Sequence, residues 1–193
     1  MRPITLALLP AILFTASPAF AGEEFGVEES FASATDVPAW VARDIGGTSE
    51  AACFTESMTT VRDALEATVI DLGNQKRTLL LKPKLPGESK SAWGCFCGAY
   101  ACPMWIYSVD SGAARRIWSS AGASVKIVDH KDDGSKRLLA SGGSAGHQEA
   151  ALYGWNGKTY RVLREKSFSL DQGEREDQQA EQEMAKFLVD AAQ

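Results

Sequence analysis

The stretch ATVIDLGNQKRTLLL, residues 67–81, contains two apolar runs separated by a polar turn. Residues 125–140, VKIVDHKDDGSKRLLA, repeat this order of features. In both stretches an apolar run ends at an aspartate, a turn with a glycine follows, and Lys-Arg leads into a leucine-rich run. Short apolar runs joined by turn residues are typical of antiparallel β-hairpins. Each stretch therefore predicts one hairpin.

A second pair of hairpins follows at matching places in the chain. Each consists of two apolar or aromatic runs with a glycine turn between them: Met104–Val109 with Arg115–Trp118, and Ala150–Trp155 with Tyr160–Leu163. The turn Asn156-Gly157 is a strong hairpin signal, because both residues tolerate positive φ. We interpret the pattern as an internal duplication, with repeats at 65–120 and 123–165. The predicted fold class is α+β and mainly β, with two antiparallel repeat units forming a twisted sheet or a small sandwich.

The repeating unit resembles the FG-GAP or VCBS-type repeat of extracellular β-propellers, over Thr68–Leu81 and Val125–Leu163. The resemblance implies an Asp-rich turn before an aliphatic strand. In some members of the family this turn binds calcium. Here Lys131 stands in the middle of the second turn, and the first turn has one carboxylate, Asp71. Calcium needs six or more oxygen ligands, so we predict no metal site and no cofactor. Two copies cannot close a propeller of at least four blades, which leaves the sheet or sandwich.

The N-terminal residues 1–21 have the pattern of a secretory signal peptide. Arg2 provides the positive charge, an apolar run follows, and Ala19-Phe20-Ala21 is a small-x-small cleavage site. The run is too short to span a membrane as a helix. We therefore expect cleavage near Ala21, a periplasmic or secreted mature protein, and no membrane insertion.

The rest of the chain divides by composition. Residues 22–35 predict a flexible acidic lead, residues 36–170 a single globular domain, and residues 171–193 an acidic tail with a peripheral helix. Within the domain, an apolar element at Pro38–Val41 ends at Gly46-Gly47, and Thr48–Asp63 predicts an N-terminal helix. Between the acidic ends, Thr35–Leu170 has fourteen acidic and seventeen basic residues, and this excess is too small for the basic patch that nucleic acid requires.

The first repeat carries an insertion that the second lacks, around WGCFCGAYACPMWIY at Trp93–Tyr107. Three of the four cysteines lie there, and Cys53 lies in the predicted helix. An even number of cysteines in an exported chain predicts two disulfides. Cys95 paired with Cys97 would form a strained small ring. Two pairings remain open: Cys95–Cys102 with Cys53–Cys97, or Cys97–Cys102 with Cys53–Cys95.

Five aromatic residues lie in and beside this loop: Trp93, Phe96, Tyr100, Trp105 and Tyr107. Some of these rings will fill the core at the base of the loop. Exposed aromatic rings on a loop stiffened by disulfides would make good anchors for a protein partner, because a rigid loop loses little entropy on binding. We predict that these residues form a binding loop.

Two other chemistries match parts of the sequence incompletely. A metal-binding or thiol-redox protein would use the cysteine cluster with His130 or His147, but the spacing fits no zinc knuckle and no Cys-x-x-Cys motif. Gly142–Gly146 matches the nucleophile elbow around Ser144, but the elbow requires a following helix and a distant histidine. The glycines and serines there predict a flexible connection instead.

The sequence thus predicts an exported, non-enzymatic binding protein without catalytic residues. The expected partner is another envelope protein, bound through the stapled aromatic loop. In its general plan the chain is similar to small periplasmic lysozyme inhibitors and immunity proteins, which implies an inhibitory role. The alternative is the metal-binding or thiol-redox protein.

Overall fold

The computed structural model describes most of the chain beyond the predicted signal peptide. The described residues are 22–56, 59–73, 77–88, 91–98, 101–110, 113–129, 134–144, 146–169, 182–183, 186–187 and 190. The predicted signal peptide at 1–21, most of the tail at 171–193, and Tyr100 and His130 lie outside them.

The first repeat forms one antiparallel sheet. Its strands are β2 (Ala34–Thr35), β3 (Leu65–Ile70), β4 (Thr78–Pro83), β5 (Cys102–Asp110) and β6 (Ala113–Gly122), in that order across the sheet. The last four are the predicted pair of hairpins, and each strand pairs with its neighbour in the chain. Apolar runs separated by turn residues therefore predicted this sheet correctly.

The second repeat forms the other sheet with the same plan. Its strands are β1 (Glu24–Gly26), β7 (Ser124–Val128), β8 (Arg137–Ser144), β9 (His147–Trp155) and β10 (Tyr160–Ser169), again in this order across the sheet. A short strand from residues 22–35 thus precedes a four-stranded meander in both sheets. The predicted fold class, mainly β with two antiparallel units and few helices, is confirmed.

The two sheets share an inner core and form a sandwich. Side chains of a strand point alternately to its two faces. On β4, Leu80 packs into the inner core with residues of the second sheet, whereas Leu79 and Leu81 pack into an outer core. Because the first sheet is buried on both faces, its strands read as continuous apolar runs rather than as alternating ones.

Helices cover the outer face of the first sheet. They are α1 (Ala39–Gly46), a 3₁₀ helix (Ser49–Glu56) and the one-turn α2 (Trp93–Phe96). Val41 and Ile45 of α1 are fully buried in the outer core. The single helix predicted over Thr48–Asp63 was wrong in length: Thr48 closes α1 through a hydrogen bond from Oγ1 to the carbonyl oxygen of Ile45, and Asp63 lies in a turn.

The outer face of the second sheet has a smaller core. It contains apolar residues of β7 to β10 together with Phe187, which is buried. Residues 182, 183, 186, 187 and 190 are helical, as the sequence predicted for this part of the tail. The tail helix therefore docks on the second sheet through Phe187.

Residues 22–35, which the sequence predicted as a flexible acidic lead, contribute a short strand to each sheet. β1 pairs with β7, and β2 pairs with β3. The hydroxyl of Thr68 on β3 also donates a hydrogen bond to the carbonyl oxygen of Ser33 at 2.9 Å. Strands of two or three residues among glutamates carry no periodic signal, so the sequence does not reveal them.

The described ends of the two hairpin turns, 71–73 and 134–136, lie side by side. Lys136 Nζ lies 3.0 Å from Asp71 Oδ2 and 3.8 Å from Asp129 Oδ1, so an ammonium group joins one carboxylate from each repeat. The pKa of Asp71 is lowered, first by the hydrogen bond from the Gly73 amide and then by Lys136. Gly73 has φ 84°, and a Cβ there would lie 2.0 Å from the carbonyl oxygen of Gly134. Only glycine allows this contact between the turns.

Candidate functional site

The four cysteines form two disulfides, Cys53–Cys95 and Cys97–Cys102. The prediction of structural disulfides is confirmed, and the structure selects one of the two pairings that the sequence left open. The first disulfide ties the 3₁₀ helix to α2. The second closes a short turn in which the amide of Gly98 donates to the carbonyl oxygen of Ala101 at 2.9 Å. Since every cysteine is paired, no thiolate is available for metal binding or exchange in this state.

Three of the five predicted loop aromatics are buried. Phe96, Trp105 and Tyr107 lie in the outer core of the first sheet, with Phe96 7% exposed and the other two less. The Phe96 ring lies 5.5 Å from that of Trp105 and 5.1 Å from that of Phe54. The rings of Phe54, Phe96 and Trp105 thus hold α2 and the 3₁₀ helix on the sheet. The prediction that they anchor a partner is therefore not supported.

Tyr107 has a structural role that its position on β5 explains. Its hydroxyl donates a hydrogen bond of 2.6 Å to Asp44 Oδ2 on α1, and Arg116 Nε lies 3.6 Å from the same oxygen. Burial, and then the hydrogen bond to Asp44, raise the pKa of Tyr107. The phenol thus stays protonated and fastens α1 to the first sheet.

The remaining loop residues surround the stapled turn, Cys97–Cys102. Trp93 is half-buried and packs against the inner core, and Gly94 and Gly98 are exposed. Tyr100 lies outside the described residues. Of the predicted binding loop, Trp93 and the turn itself therefore remain candidates for contact with a partner.

A cleft of about 660 Å³ opens beside the stapled turn, at the end of the sandwich where β6 and β8 finish and β9 begins. Its walls are Ala101 of the turn, Ser120 and Ala121 of β6, and facing parts of β8, β9 and β10. We call it the end cleft. The sequence did not predict it, because its wall residues come from both repeats and from the inserted loop.

Small side chains explain why the sandwich stays open at this end. Ala121, Ala140 and Ala151 border the end cleft, whereas Trp118 and Tyr160 fill the inner core farther along the sheets. The backbones also approach closely here: a Cβ on Gly142 would lie 2.7 Å from the Cα of Gly122. Glycine is required where two strands meet in this way.

The glycine-rich segment is ordered strand and not the predicted flexible connection. Gly142, Gly143 and Ser144 belong to β8 and pair in register with Glu149, Gln148 and His147 of β9. A strand therefore follows Ser144, whereas a nucleophile elbow requires a helix. The small residues of this strand leave room for the end cleft and do not form a linker.

Two polar groups of the end cleft contact one imidazole nitrogen. His147 Nε2 lies 3.0 Å from Ser167 Oγ and 3.3 Å from Glu149 Oε1. In a nucleophilic relay the serine and the carboxylate occupy opposite ring nitrogens, so that the imidazole can pass a proton between them. Here both contact the same nitrogen, so this arrangement does not fit activation of Ser167 by a relay. Across the cleft, the hydroxyl of Tyr153 contacts Ser120 Oγ at 3.4 Å.

Comparison of the chain with protein-family models, with curated proteins and with solved structures finds no match. Among the residues that the structure describes, no helix is long and apolar enough to cross a membrane. In the same residues, no three His, Cys, Asp or Glu side chains are grouped so that they could hold a metal ion. The site must therefore be interpreted from its own geometry.

Proposed function

We propose that this chain is an exported, non-enzymatic binding protein whose recognition surface is the end cleft, with the stapled turn at its lip. The observation that carries the proposal is the cleft itself. Its volume of about 660 Å³ falls within the range of roughly 300–1,000 Å³ that is usual for ligand sites. Its floor is built from paired strands, so binding would cost little conformational entropy.

Export is supported by two independent features. Residues 1–21 have the charged start, apolar run and small-residue cleavage site of a signal peptide. Two disulfides form and persist in oxidising compartments such as the periplasm or the extracellular space. We therefore propose a periplasmic or secreted protein, cleaved near Ala21.

The proposed partner is another envelope protein. The stapled turn places Ala101 at the lip of the end cleft, and the half-buried Trp93 lies in the same loop. Two disulfides fix this loop against the 3₁₀ helix and β5, which favours a preformed protein-binding surface over an adaptable one. Inhibition of an envelope enzyme fits this plan, in line with the resemblance to small periplasmic inhibitors. The metal alternative would need free cysteines, and all four are paired.

A retention experiment with a blocked cleft tests this function. Mature protein is immobilised, and envelope extracts are passed over it and over two tryptophan variants. Ala151→Trp fills the end cleft from β9, and Ala114→Trp adds the same ring to an exposed position at the far end of β6. We expect the wild type and Ala114→Trp to retain a common protein that Ala151→Trp loses.

Folding of the variants must be checked by near-ultraviolet circular dichroism. If Ala151→Trp does not fold, Ser120→Trp blocks the end cleft from the opposite wall. A folded cleft variant that retains the same protein as the wild type would overturn the proposed recognition surface.

A further inference from the structure

Two carboxylates, Glu149 and Glu165, border the end cleft. Glu165 pairs directly with Ala151 across β9 and β10, and Glu149 lies two residues before Ala151 on the same face. Diagonal neighbours of this kind have Cα atoms roughly 7–8 Å apart, so one ligand group can reach both. The Glu149 side chain is 67% exposed, and its contact within the described residues is with His147.

The one lysine at the end cleft is engaged elsewhere. Lys166 pairs with Ala150, whose side chain packs in the outer core of the second sheet. Its ammonium group contacts Glu183 of the tail helix and lies 5.0 Å from the centroid of the Phe168 ring. The positive charge of Lys166 is therefore turned toward the outer face, and the end cleft keeps an excess of negative charge.

One part of the end cleft wall is apolar and built from small side chains. Ala121, Ala140 and Ala151 line it between the β6 wall and the two carboxylates. An apolar stem can lie along such a surface while a charged end reaches the carboxylates, which is how lysine and arginine side chains bury their methylene groups. The site thus combines a place for a stem with a place for a positive charge.

The chain's own ends do not fit this site. Residues 22–35 and 171–193 are both acidic, so either would bring negative charge to a negative cleft. We infer that the end cleft takes a lysine or arginine side chain of the partner, with the aliphatic stem along the alanines and the charged group between Glu149 and Glu165. This inference rests on the proposed function and names the chemistry that the site selects.

Defined peptides test the inference by NMR. The probes are N-acetylated, C-amidated pentapeptides of alanine whose central residue is lysine, arginine, norleucine or glutamate. Norleucine keeps the stem of lysine and removes the charge. We expect the lysine and arginine peptides to shift the amide signals of Gly142 and Ala151 saturably, and the norleucine and glutamate peptides to bind about tenfold more weakly or not at all.

A pair of charge variants shows whether the two carboxylates are responsible. Glu149→Gln/Glu165→Gln should weaken the lysine peptide about tenfold, since two exposed ion pairs are lost. Glu28→Gln/Glu29→Gln removes the same charge from exposed positions outside the end cleft and should change the affinity less than about twofold. Equal binding of the norleucine and lysine peptides, or unchanged binding by the Glu149/Glu165 variant, would overturn the inference.

The outcome is separable from that of the proposed function. If Ala151→Trp loses the envelope partner while Glu149→Gln/Glu165→Gln retains it at full affinity, the end cleft binds a partner but selects no cation. If Ala151→Trp keeps the partner, the proposed recognition surface itself fails.

Discussion

Lys82 is fully buried, and its replacement offers the sharpest test of how the first sheet holds the N-terminal segment. The lysine lies on β4 directly opposite Glu66 of β3 and forms an ion pair with it. Its Nζ also donates a hydrogen bond to the carbonyl oxygen of Val27 at 3.3 Å, and it lies 5.0 Å from the centroid of the Phe31 ring. Glu66 is 8% exposed and accepts a hydrogen bond from the Phe31 amide.

Lys82→Met keeps the aliphatic stem and removes the charge. Glu66 is then left charged and buried without its partner, which costs about 3–5 kcal/mol, and the carbonyl of Val27 loses its donor. Glu66→Leu likewise leaves Lys82 charged and buried without its carboxylate partner. The double variant Lys82→Met/Glu66→Leu removes both charges and should recover most of the loss, because a buried ion pair is about as stable as an apolar pair of similar volume.

Urea unfolding at pH 7, followed by tryptophan fluorescence, measures the four free energies of this cycle. We expect a large loss of unfolding free energy in each single variant. In the double variant we expect a coupling energy that offsets most of the two single losses. A loss below about 1 kcal/mol in Lys82→Met would show that the ion pair is not buried as described. Additive losses in the double variant would show that the two residues act independently.

Two further predictions concern the connections between elements. Replacing Cys53 and Cys95 by serine removes a disulfide between residues 42 positions apart. The unfolded chain then gains conformational entropy, so the free energy of unfolding measured in urea should fall by about 4 kcal/mol. A loss below about 1 kcal/mol would contradict this. Asp71→Asn should lower stability by up to about 1 kcal/mol at pH 7. Because the folded pKa of Asp71 is lowered, its contribution is present above about pH 4 and is lost as the pH falls through the folded value, so thermal unfolding of the variant and the wild type should converge in acid. An equal difference at pH 7 and in acid would exclude the ion pair with Lys136.

The sequence predicted the two meanders because each strand is a continuous apolar run bounded by turn residues. The same continuity explains why two aromatic residues of the predicted binding loop are core residues. Trp105 and Tyr107 lie two residues apart on β5, and Met104 and Ile106 fill the opposite face of that strand. In a sheet buried on both faces, every position of a central strand is core, so aromatic content there does not indicate a binding surface.

The features that the sequence did not reveal depend on contacts between distant segments. In the sequence, Lys82 has the position of a polar residue at the end of a strand. It is buried because Val27 and Phe31 of the N-terminal segment cover it. The end cleft joins small residues of β6, β8 and β9 with the turn at Ala101. Each set is unremarkable alone, and tertiary packing places them together. The cysteine pairing followed the same rule: spacing excluded one pairing, and packing of α2 on the 3₁₀ helix selected between the other two.

Site-specific photocross-linking in the living cell tests the end cleft as the recognition surface most directly. A benzophenone side chain is placed at Ala121, an exposed residue on the wall of the cleft, and at Ala114, an exposed residue near the other end of the same strand. We predict a cross-linked product of one discrete mass from Ala121 and none from Ala114. The absence of a product from Ala121, or the same product from both positions, would contradict a binding function of the end cleft.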